Sequence, residues 1–272
     1  MSEIRFGCQA YTWQMSGEKY KGRIPHILDV VARAGMTGLE AETCMLGDYY
    51  DDAGRMTGEL SRCGVSLAGL CLVESWLNPG ETEEERADAD RLMDYLARFP
   101  GAMLFFGQRS GANRNNLEER QRNAIACMHE VARRAADVGL ECACHPSSPP
   151  GSVFRTREDY GILLDGLDEK LIGFVPDAGH MTKGGMDAVE IFTTYRPLIR
   201  HVHFKDISED GRWVEMGRGV IDFPAIVSNL ADTGYDGWIM VEDESERAEI
   251  TPDTVVIEDG HYIRQTLLPI AR

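Results

Sequence analysis

The sequence predicts an α/β protein that folds as a single (β/α)8 TIM barrel, with one domain over residues 1–272. The first observation is an eightfold alternation of short apolar runs and amphipathic segments, without a long linker or a break in composition. The second is the length of 272 residues, which such a barrel commonly reaches as one domain. The third is that polar side chains concentrate where the predicted strands end, the location of active sites in barrel enzymes.

The predicted strands are short runs rich in apolar residues. Four of them begin within three residues of a glycine that closes an amphipathic segment, at Gly35, Gly64, Gly139 and Gly234. A glycine at this place favours the left-handed backbone that ends a helix before the chain enters a strand. The eight strands are predicted near residues 4–11, 36–42, 65–74, 102–108, 140–145, 171–177, 199–205 and 237–242.

Helical segments fit between each successive pair of predicted strands. The longest two, at 82–99 and 116–139, carry acidic residues early and arginines later, as the helix dipole favours. In the segment GRGVIDFPAIV, Asp222 is the predicted N-cap and Pro224 lies in the first helical turn. The prediction is therefore a helix after each strand, as a parallel barrel requires.

The charge and the cysteines limit the class of protein. Lys and Arg number 28 against 45 Asp and Glu, and the net charge of −17 repels nucleic-acid phosphates and anionic membranes. Seven cysteines without a Cys-x-x-Cys pair predict buried, reduced thiols. The start of the chain lacks a basic stretch followed by an apolar run, and no apolar run approaches the roughly 18 residues of a membrane span. We expect a cytoplasmic protein with no nucleic-acid or membrane partner.

Polar residues mark the carboxyl ends of seven predicted strands. They are Glu40, Glu42, Glu74, Gln108, His145, Asp177, His203, Lys205, Glu242 and Glu244. The opposite ends, where the strands begin, are mostly apolar residues or glycine. We therefore place the functional site at the carboxyl end of the barrel.

Side-chain alternation turns four of these residues toward the barrel axis. In the stretch RHVHFKD, Val202 and Phe204 face the helices while His203 and Lys205 face the axis. The same alternation brings His145, Asp177, His203 and Glu242 together from four consecutive strands. Two imidazoles and two carboxylates suit a divalent ion such as Mn²⁺, Fe²⁺, Co²⁺ or Zn²⁺. The alternative is four unrelated polar residues that pair with each other or with water.

Other residues of the predicted rim are candidates for substrate contact or support. Gln108, Glu42 and Trp13 are predicted to contact the substrate, with rim capping as the alternative for Glu42 and core or lid packing as the alternative for Trp13. His201 lies deeper than His203 on the same face and is interpreted as a supporting residue, as is Glu40.

Several motifs resemble those of the xylose-isomerase-like barrel superfamily. They are Asp-x-x-His at Asp177 and His180, His-x-Lys-Asp at His203, Lys205 and Asp206, a Gly-x-Gly-x-x-Asp turn at Gly217, Gly219 and Asp222, and a Glu that ends the last strand at Glu242. The resemblance is strong over residues 171–246 and extends more diffusely to GCQAYTW and AGMTGLEAE near the start. The superfamily includes sugar isomerases and epimerases, inosose dehydratase and the endonuclease IV group.

The resemblance implies one divalent ion, with Asp177, His203 and Glu242 as ligands and His180 in contact with a substrate hydroxyl. Mn²⁺ is the first choice, with Co²⁺, Fe²⁺, Mg²⁺ and Zn²⁺ as alternatives. The strand-5 position departs from tagatose-epimerase-like members, which have Glu there. His145 stands at that position, as in inosose-dehydratase-like members.

The expected function is that of a metal-dependent isomerase or epimerase, which forms an enediolate from a sugar, keto-sugar or cyclitol. Glu242 or His145 would take the proton, and Lys205 or His180 would steady an oxygen or protonate a leaving hydroxyl. An inosose-dehydratase-like lyase uses the same intermediate and stays open, as does a non-catalytic sugar-binding barrel. An endonuclease IV-like hydrolase is disfavoured by the net charge of −17. Pairing of two copies of the chain as a homo-oligomer is left open.

Overall fold

Eight parallel strands form one sheet in the computed structural model, which describes residues 4–271; residues 1–3 and 272 of the predicted domain lie outside it. In chain order the strands are β1 (Arg5–Gln9), β2 (Gly38–Glu42), β3 (Ser66–Glu74), β4 (Met103–Gln108), β5 (Cys142–Cys144), β6 (Ile172–Phe174), β7 (Val202–Phe204) and β8 (Trp238–Val241). Their order across the sheet is β6-β5-β4-β3-β2-β1-β8-β7. All eight lie within the ranges that the sequence predicts.

The two edge strands, β6 and β7, meet through short parallel bridges. Phe174 pairs with Ile199, and Asp177 pairs with His203. The backbone N–H of His203 donates to the carbonyl oxygen of Pro176 at 3.0 Å, which continues the pairing beyond the regular strands. The sheet is therefore curled onto itself, and the predicted (β/α)8 barrel is confirmed.

Helices follow the strands and surround the sheet. They are α1 (Tyr11–Gln14), α2 (Ile24–Arg33), α3 (Ala53–Cys63), α4 (Glu83–Leu96), α5 (Leu117–Asp137), α6 (Arg157–Gly166), α7 (Ala178–Lys183), α8 (Ala188–Thr194), α9 (Phe223–Asp232), α10 (Glu246–Ile250) and α11 (Pro252–Tyr262). Short 3-10 turns cover Gly17–Lys19, Thr43–Met45, Gly47–Tyr50 and Arg196–Leu198, and a π-turn covers Ile263–Leu267. Asp206–Ile207 and Trp213–Val214 form a small antiparallel hairpin above β7.

The predicted helix boundaries agree with the structure. The four glycines that end helices all have positive φ, from 65° at Gly64 to 78° at Gly35. Asp222 caps α9, since its carboxylate accepts the N–H of Ala225 at 3.0 Å. Within residues 4–271, no helix combines the length and the apolar character needed to cross a bilayer.

The cysteines are free thiols, as predicted, although they are not all buried. Cys8, Cys127, Cys142 and Cys144 are buried, whereas Cys44 is exposed. Cys44 lies in a 3-10 turn after β2 and not in a strand. The prediction of a buried thiol is therefore wrong at Cys44.

The core has an outer layer and an inner one. Strand residues that face outward, such as Cys142, Val202 and Phe204, pack against the helices in the large outer layer. Residues that face inward fill the barrel in two smaller groups, Met103, Phe105, Ala143 and Val175 in one and Ala68, Trp238 and Met240 in the other. The alternation predicted for β5, β7 and β8 is thus confirmed.

Three glycines on the strands make room for the large side chains of the inner layer. A Cβ at Gly38 would lie 2.5 Å from the Trp238 ring, and a Cβ at Gly7 would lie 2.6 Å from the end of Met240. A Cβ at Gly69 would meet the Phe105 ring and would lie 2.5 Å from the carbonyl oxygen of Met103. The barrel interior is therefore filled by alternating small and large residues, and it is a packed core.

We expect Gly69→Ala to destabilise the protein by about 1–3 kcal/mol, because neither the Phe105 ring nor the backbone can give way freely. The matched control is Gly58→Ala on the exposed face of α3, where nothing lies near the added methyl group. This substitution should stabilise the protein by about 0.5–1 kcal/mol through helix propensity. Urea unfolding of both variants measures the difference, and equal effects would contradict the packed interior.

Candidate active site and metal centre

A cavity of about 420 Å³ opens at the carboxyl ends of the barrel strands, where the sequence predicts the site. Its lining includes six of the predicted residues, Glu42, Gln108, His145, His180, His203 and Glu242. These side chains come from β2, β4, β7 and α7, and from the ends of β5 and β8. The barrel therefore delivers residues that are far apart in the sequence to one space.

Four side chains form a compact set of potential metal ligands. One N or O atom from each of His145, Asp177, His203 and Glu242 lies within 4.8 Å of the others. Asp177, His203 and Glu242 are buried, and His145 is half-buried beside the cavity. His203 stands in β7, and His145 and Glu242 directly follow β5 and β8. Asp177 is held by its backbone bridge to His203, so backbone pairing fixes the position of each residue.

The carboxylate of Asp177 has two different surroundings. Its Oδ1 accepts the backbone N–H of His180 at 2.8 Å and so caps α7. Its Oδ2 lies 3.4 Å from the Nε2 of His145 and 3.7 Å from the Nζ of Lys205. One oxygen therefore anchors the side chain while the other faces the four-residue set.

The imidazole of His203 is held between two carboxylates. Its Nε2 lies 2.9 Å from Oε1 of Glu40, and its Nδ1 lies 3.1 Å from Oε2 of Glu242. Burial opposes the charged ring, but Glu40 and Glu242 outweigh it and raise the pKa of His203 to about 10. Without a metal, His203 is therefore a cation at neutral pH.

Glu40 is a buried carboxylate beneath the site that orients two histidines. Its Oε2 lies 2.7 Å from the Nε2 of His201, in addition to its contact with His203. Burial opposes its ionisation, yet the charge of His203 and the hydrogen bond from His201 hold the pKa of Glu40 well below its usual range. A carboxylate behind a metal-binding histidine fixes the ring and raises its basicity as a ligand.

The donor set fits a divalent ion. Two imidazole nitrogens and two carboxylate oxygens converge, and Asp177 and His203 each keep one donor atom anchored while the other faces the group. Mixed N and O ligands of this kind suit Mn²⁺, Fe²⁺, Co²⁺ and Zn²⁺. The second group of potential ligands, Glu40, His201 and His203, shares His203 with the first.

Lys205 lies next to the ligand set with its side chain fully buried. Its Nζ is 3.1 Å from Oε1 of Glu242, 3.2 Å from Nε2 of His180, and in contact with Glu244. Burial opposes its charge, but Glu242 and Glu244 outweigh this effect and raise the pKa of Lys205 above its usual range. Lys205 therefore keeps its proton and places a fixed positive charge in the site.

The neighbours of Lys205 differ in their protonation. Burial, together with the nearby Lys205 charge, lowers the pKa of His180 to about 3, so its ring is neutral. Burial would raise the pKa of Glu242, but Lys205 and His203 prevail and lower it to about 2. Burial raises the pKa of Glu244 to about 7, although Lys205 acts in the opposite direction. Glu244 can therefore gain or lose a proton near neutral pH.

Three of the four predicted substrate contacts line the cavity, and Trp13 does not. Glu42 accepts a hydrogen bond from Gln14 at 2.9 Å, and Gln108 donates to the carbonyl oxygen of Ser75 at 3.2 Å, with both side chains at the cavity wall. Trp13 is fully buried, and its Nε1 donates to Asp253 at 2.8 Å. The substrate contact predicted for Trp13 is therefore corrected, since its ring and its N–H are both satisfied in the core.

Four further residues line the cavity without having been assigned a role from the sequence. Glu244, which the sequence places at the predicted rim, lines the cavity two positions after Glu242, as the period-2 alternation of an extended chain predicts. Trp213, for which the sequence leaves a sugar-site wall and core or lid packing equally open, lines the cavity from the hairpin after β7, with its ring centroid 5.5 Å from that of His180. Arg155 and Lys183 reach the cavity from loop and helix positions that depend on long-range packing, so no local pattern reveals them.

Comparison with known proteins agrees with the fold. The profile of the family described as "Xylose isomerase-like TIM barrel" matches residues 28–266. An inosose dehydratase of Geobacillus thermodenitrificans (strain NG80-2) is 25% identical over 270 residues, which is 87% of each chain. An inosose dehydratase of Lacticaseibacillus casei is 27% identical over 158 residues, about half (52%) of each chain. A crystal structure of the IolI protein with a zinc atom has a TM-score of 0.76 at 18% identity, covering 99% of this chain and 98% of the other.

We expect the chelator-treated protein to lose stability as the pH rises from about 7 to about 8.5. The folded pKa of His203, about 10, exceeds the unfolded value of about 6.5. The contribution of His203 is therefore complete below about pH 6.5 and is lost as the pH approaches 10. Urea unfolding across this range measures the slope.

The variant His203→Gln should have a flatter slope than the wild type, because it lacks the titrating ring. His261→Gln is the matched control, since His261 is exposed and belongs to neither ligand group. A slope that is the same in all three proteins would contradict the charged state of His203.

Proposed function

The chain belongs to the xylose isomerase-like TIM barrel family, and from this premise we propose that this enzyme removes water from a keto-cyclitol or keto-sugar with one divalent metal ion. The observation that carries the proposal is the set of four ligand residues directly beside Glu244 and Lys205. Similarity to inosose dehydratases supports the substrate class. The reaction abstracts a proton next to a carbonyl and expels a hydroxyl one carbon further on.

His145, Asp177, His203 and Glu242 would hold the ion. A divalent ion in this place supplies Lewis acidity, which polarises a substrate carbonyl and makes the neighbouring C–H more acidic. We propose Mn²⁺ as the first ion to test, with Co²⁺, Fe²⁺, Mg²⁺ and Zn²⁺ as alternatives, because the mixed N and O donors accept each of them.

We assign the proton transfer to Glu244 and not to Glu242. Both oxygens of Glu242 are engaged, one by Lys205 and one by His203, and its pKa of about 2 makes it a weak base. Glu244 lines the cavity, and its pKa of about 7 suits both the uptake and the return of a proton. Its carboxylate would take the proton from carbon and then protonate the leaving hydroxyl, which departs as water.

Lys205 and His180 would stabilise and orient the substrate. The ammonium group of Lys205 lies next to Glu242 and Glu244, where a fixed positive charge stabilises negative charge that develops on a substrate oxygen. His180 is held by the Ser148 hydroxyl at 2.9 Å on Nδ1, and its neutral Nε2 faces the Nζ of Lys205. Neither group needs to move during proton transfer.

Dehydration fits this site better than epimerisation. Epimerisation takes a proton from one face of the carbon and returns it to the other, and so it needs two proton carriers. The residue after β5 that could carry a proton to the other face of the carbon is His145. Its Nε2, however, lies among the potential metal ligands, near Asp177. One carboxylate that acts first as base and then as acid is sufficient for loss of water.

The reaction class can be tested by incubation of the Mn²⁺-loaded protein in D₂O with inososes, neutral ketoses and ketoses that carry a carboxylate or a phosphate. We expect loss of one water from a reactive compound, seen by mass spectrometry, and no reaction after removal of the metal by a chelator. Deuterium uptake without loss of water would indicate an isomerase or epimerase instead. Neither event on any compound, with metal bound, would contradict the proposed function.

The variant Glu244→Gln should lower kcat by about 10²–10⁴-fold because it removes the proton carrier. Metal content and KM should stay close to those of the wild type, since Glu244 is not in the ligand set. Glu246→Gln is the matched control, because Glu246 is an exposed residue at the start of α10. Equal activity of the two variants would refute the role of Glu244.

A further inference from the structure

Three basic side chains at the cavity, Arg109, Arg155 and Lys183, have no role in the proposed reaction, and Arg109 donates to the carbonyl oxygen of Val73 at 3.0 Å. Arg155 lies in the loop between β5 and α6, and Lys183 is the last residue of α7. Arg155 and Lys183 both line the cavity in a chain whose net charge is −17. Excess positive charge in one place on such an acidic protein points to a ligand of opposite charge.

Arg155 lacks the partners that an arginine near the protein interior usually has. Its Nε is buried and has no hydrogen-bond partner, and no acidic side chain among residues 4–271 forms an ion pair with its guanidinium group. Neighbouring arginines differ in this respect. Arg157 binds both oxygens of Glu190 at 2.6 and 3.0 Å, and Arg114 pairs with Asp159. An unsatisfied buried donor is costly unless a ligand completes it.

Packing places Lys183 beside this loop. A Cβ on Gly184 would clash with the carbonyl oxygen of Arg155, so the end of α7 lies against the loop at that point. Burial lowers the pKa of Lys183, and while Glu244 counteracts this effect, the charges of Lys205 and Arg155 lower the pKa further. The carboxylate of Glu244 is already in contact with Lys205. Within residues 4–271, neither Arg155 nor Lys183 forms an ion pair with an acidic side chain.

Trp213 connects this wall to the reacting end of the cavity. The Nζ of Lys183 is 4.0 Å from the centroid of its ring, and the Nζ of Lys205 is 5.3 Å from the same centroid. A substrate that reaches Lys205 at one end therefore has its other end within reach of Lys183. The indole ring also offers an apolar surface between polar contacts.

We propose that Arg155 and Lys183 bind an anionic group, a carboxylate or a phosphate, on the part of the substrate that does not react. The guanidinium group offers paired N–H donors in the geometry that either anion accepts, and the ammonium group adds a second charge. This inference rests on the proposed function for the position of the reacting end. It distinguishes the substrate from an inosose, which is uncharged.

The test uses a matched series of ligands that differ only at one end: D-fructose, D-fructose 6-phosphate and D-fructuronate. Their binding to the Mn²⁺-loaded protein is measured by titration calorimetry, with inorganic phosphate as a further probe. We expect one of the two anionic ligands to bind at least about tenfold more tightly than D-fructose, as one charge-assisted contact provides. The preferred member identifies the anion as phosphate or carboxylate.

The variants Arg155→Gln and Lys183→Met should each remove most of this preference and leave the affinity for D-fructose unchanged. Arg157→Gln is the matched control, because it removes the same charge two residues away, outside the cavity. Equal affinities for neutral and anionic ligands, or equal losses in Arg155→Gln and Arg157→Gln, would overturn the proposal. If no member of the series binds, inorganic phosphate should still bind to the wild type, and more weakly to Arg155→Gln. Absence of phosphate binding, or equal binding to the two proteins, would also overturn the proposal.

The binding measurement needs no turnover, so the two proposals can fail separately. An Arg155-dependent preference for anions without loss of water from any substrate would refute the reaction and support the anion site. Loss of water from a neutral inosose, with no preference for anions, would support the reaction and refute the anion site.

Discussion

The closure of the barrel between β6 and β7 is the contact on which both the fold and the candidate site depend. Each strand is only three residues long, and the Asp177–His203 bridge joins them at the cavity end. An open edge there would leave backbone groups unpaired, which a closed barrel avoids. The two residues that make this bridge also bring a carboxylate and an imidazole into the cavity. The distance between two potential ligands is therefore set by backbone pairing and not by flexible side chains.

The buried charges around this closure nearly cancel, and the small net negative charge that is left favours a bound cation. Glu40, Asp177 and Glu242 are buried carboxylates, and the cations beside them are His203 and Lys205. Buried charges are stable only when they are compensated, so one negative charge is left over in this group. With Glu244 protonated, a divalent ion that replaced the proton of His203 would bring the sum to zero. Electrostatic balance thus gives a reason for a metal that is independent of ligand geometry.

The sequence predicts those parts of the molecule that follow from local periodicity. Alternation within a strand places His203 inward and Val202 outward, because a strand has a fixed period of two. The same rule does not apply to loops, where Trp13 and Trp213 could not be distinguished from the sequence. Trp13 finds a hydrogen-bond partner 240 positions away, and only the folded chain brings Asp253 to it. The sequence therefore predicts the barrel and the convergence of the four potential ligands, but not the loop residues at the cavity wall.

The filled interior of the barrel has a consequence for the order of events in the site. Trp238, Phe105 and Met240 occupy the centre of the barrel below the cavity. The cavity is therefore closed at its lower end, and ligands reach it from the carboxyl side of the barrel. In the proposed enzyme, an ion at His203 would lie deeper than the substrate above it. A bound substrate would then block the path to the ion, so exchange of the ion with solvent would be slowest while the substrate occupies the cavity.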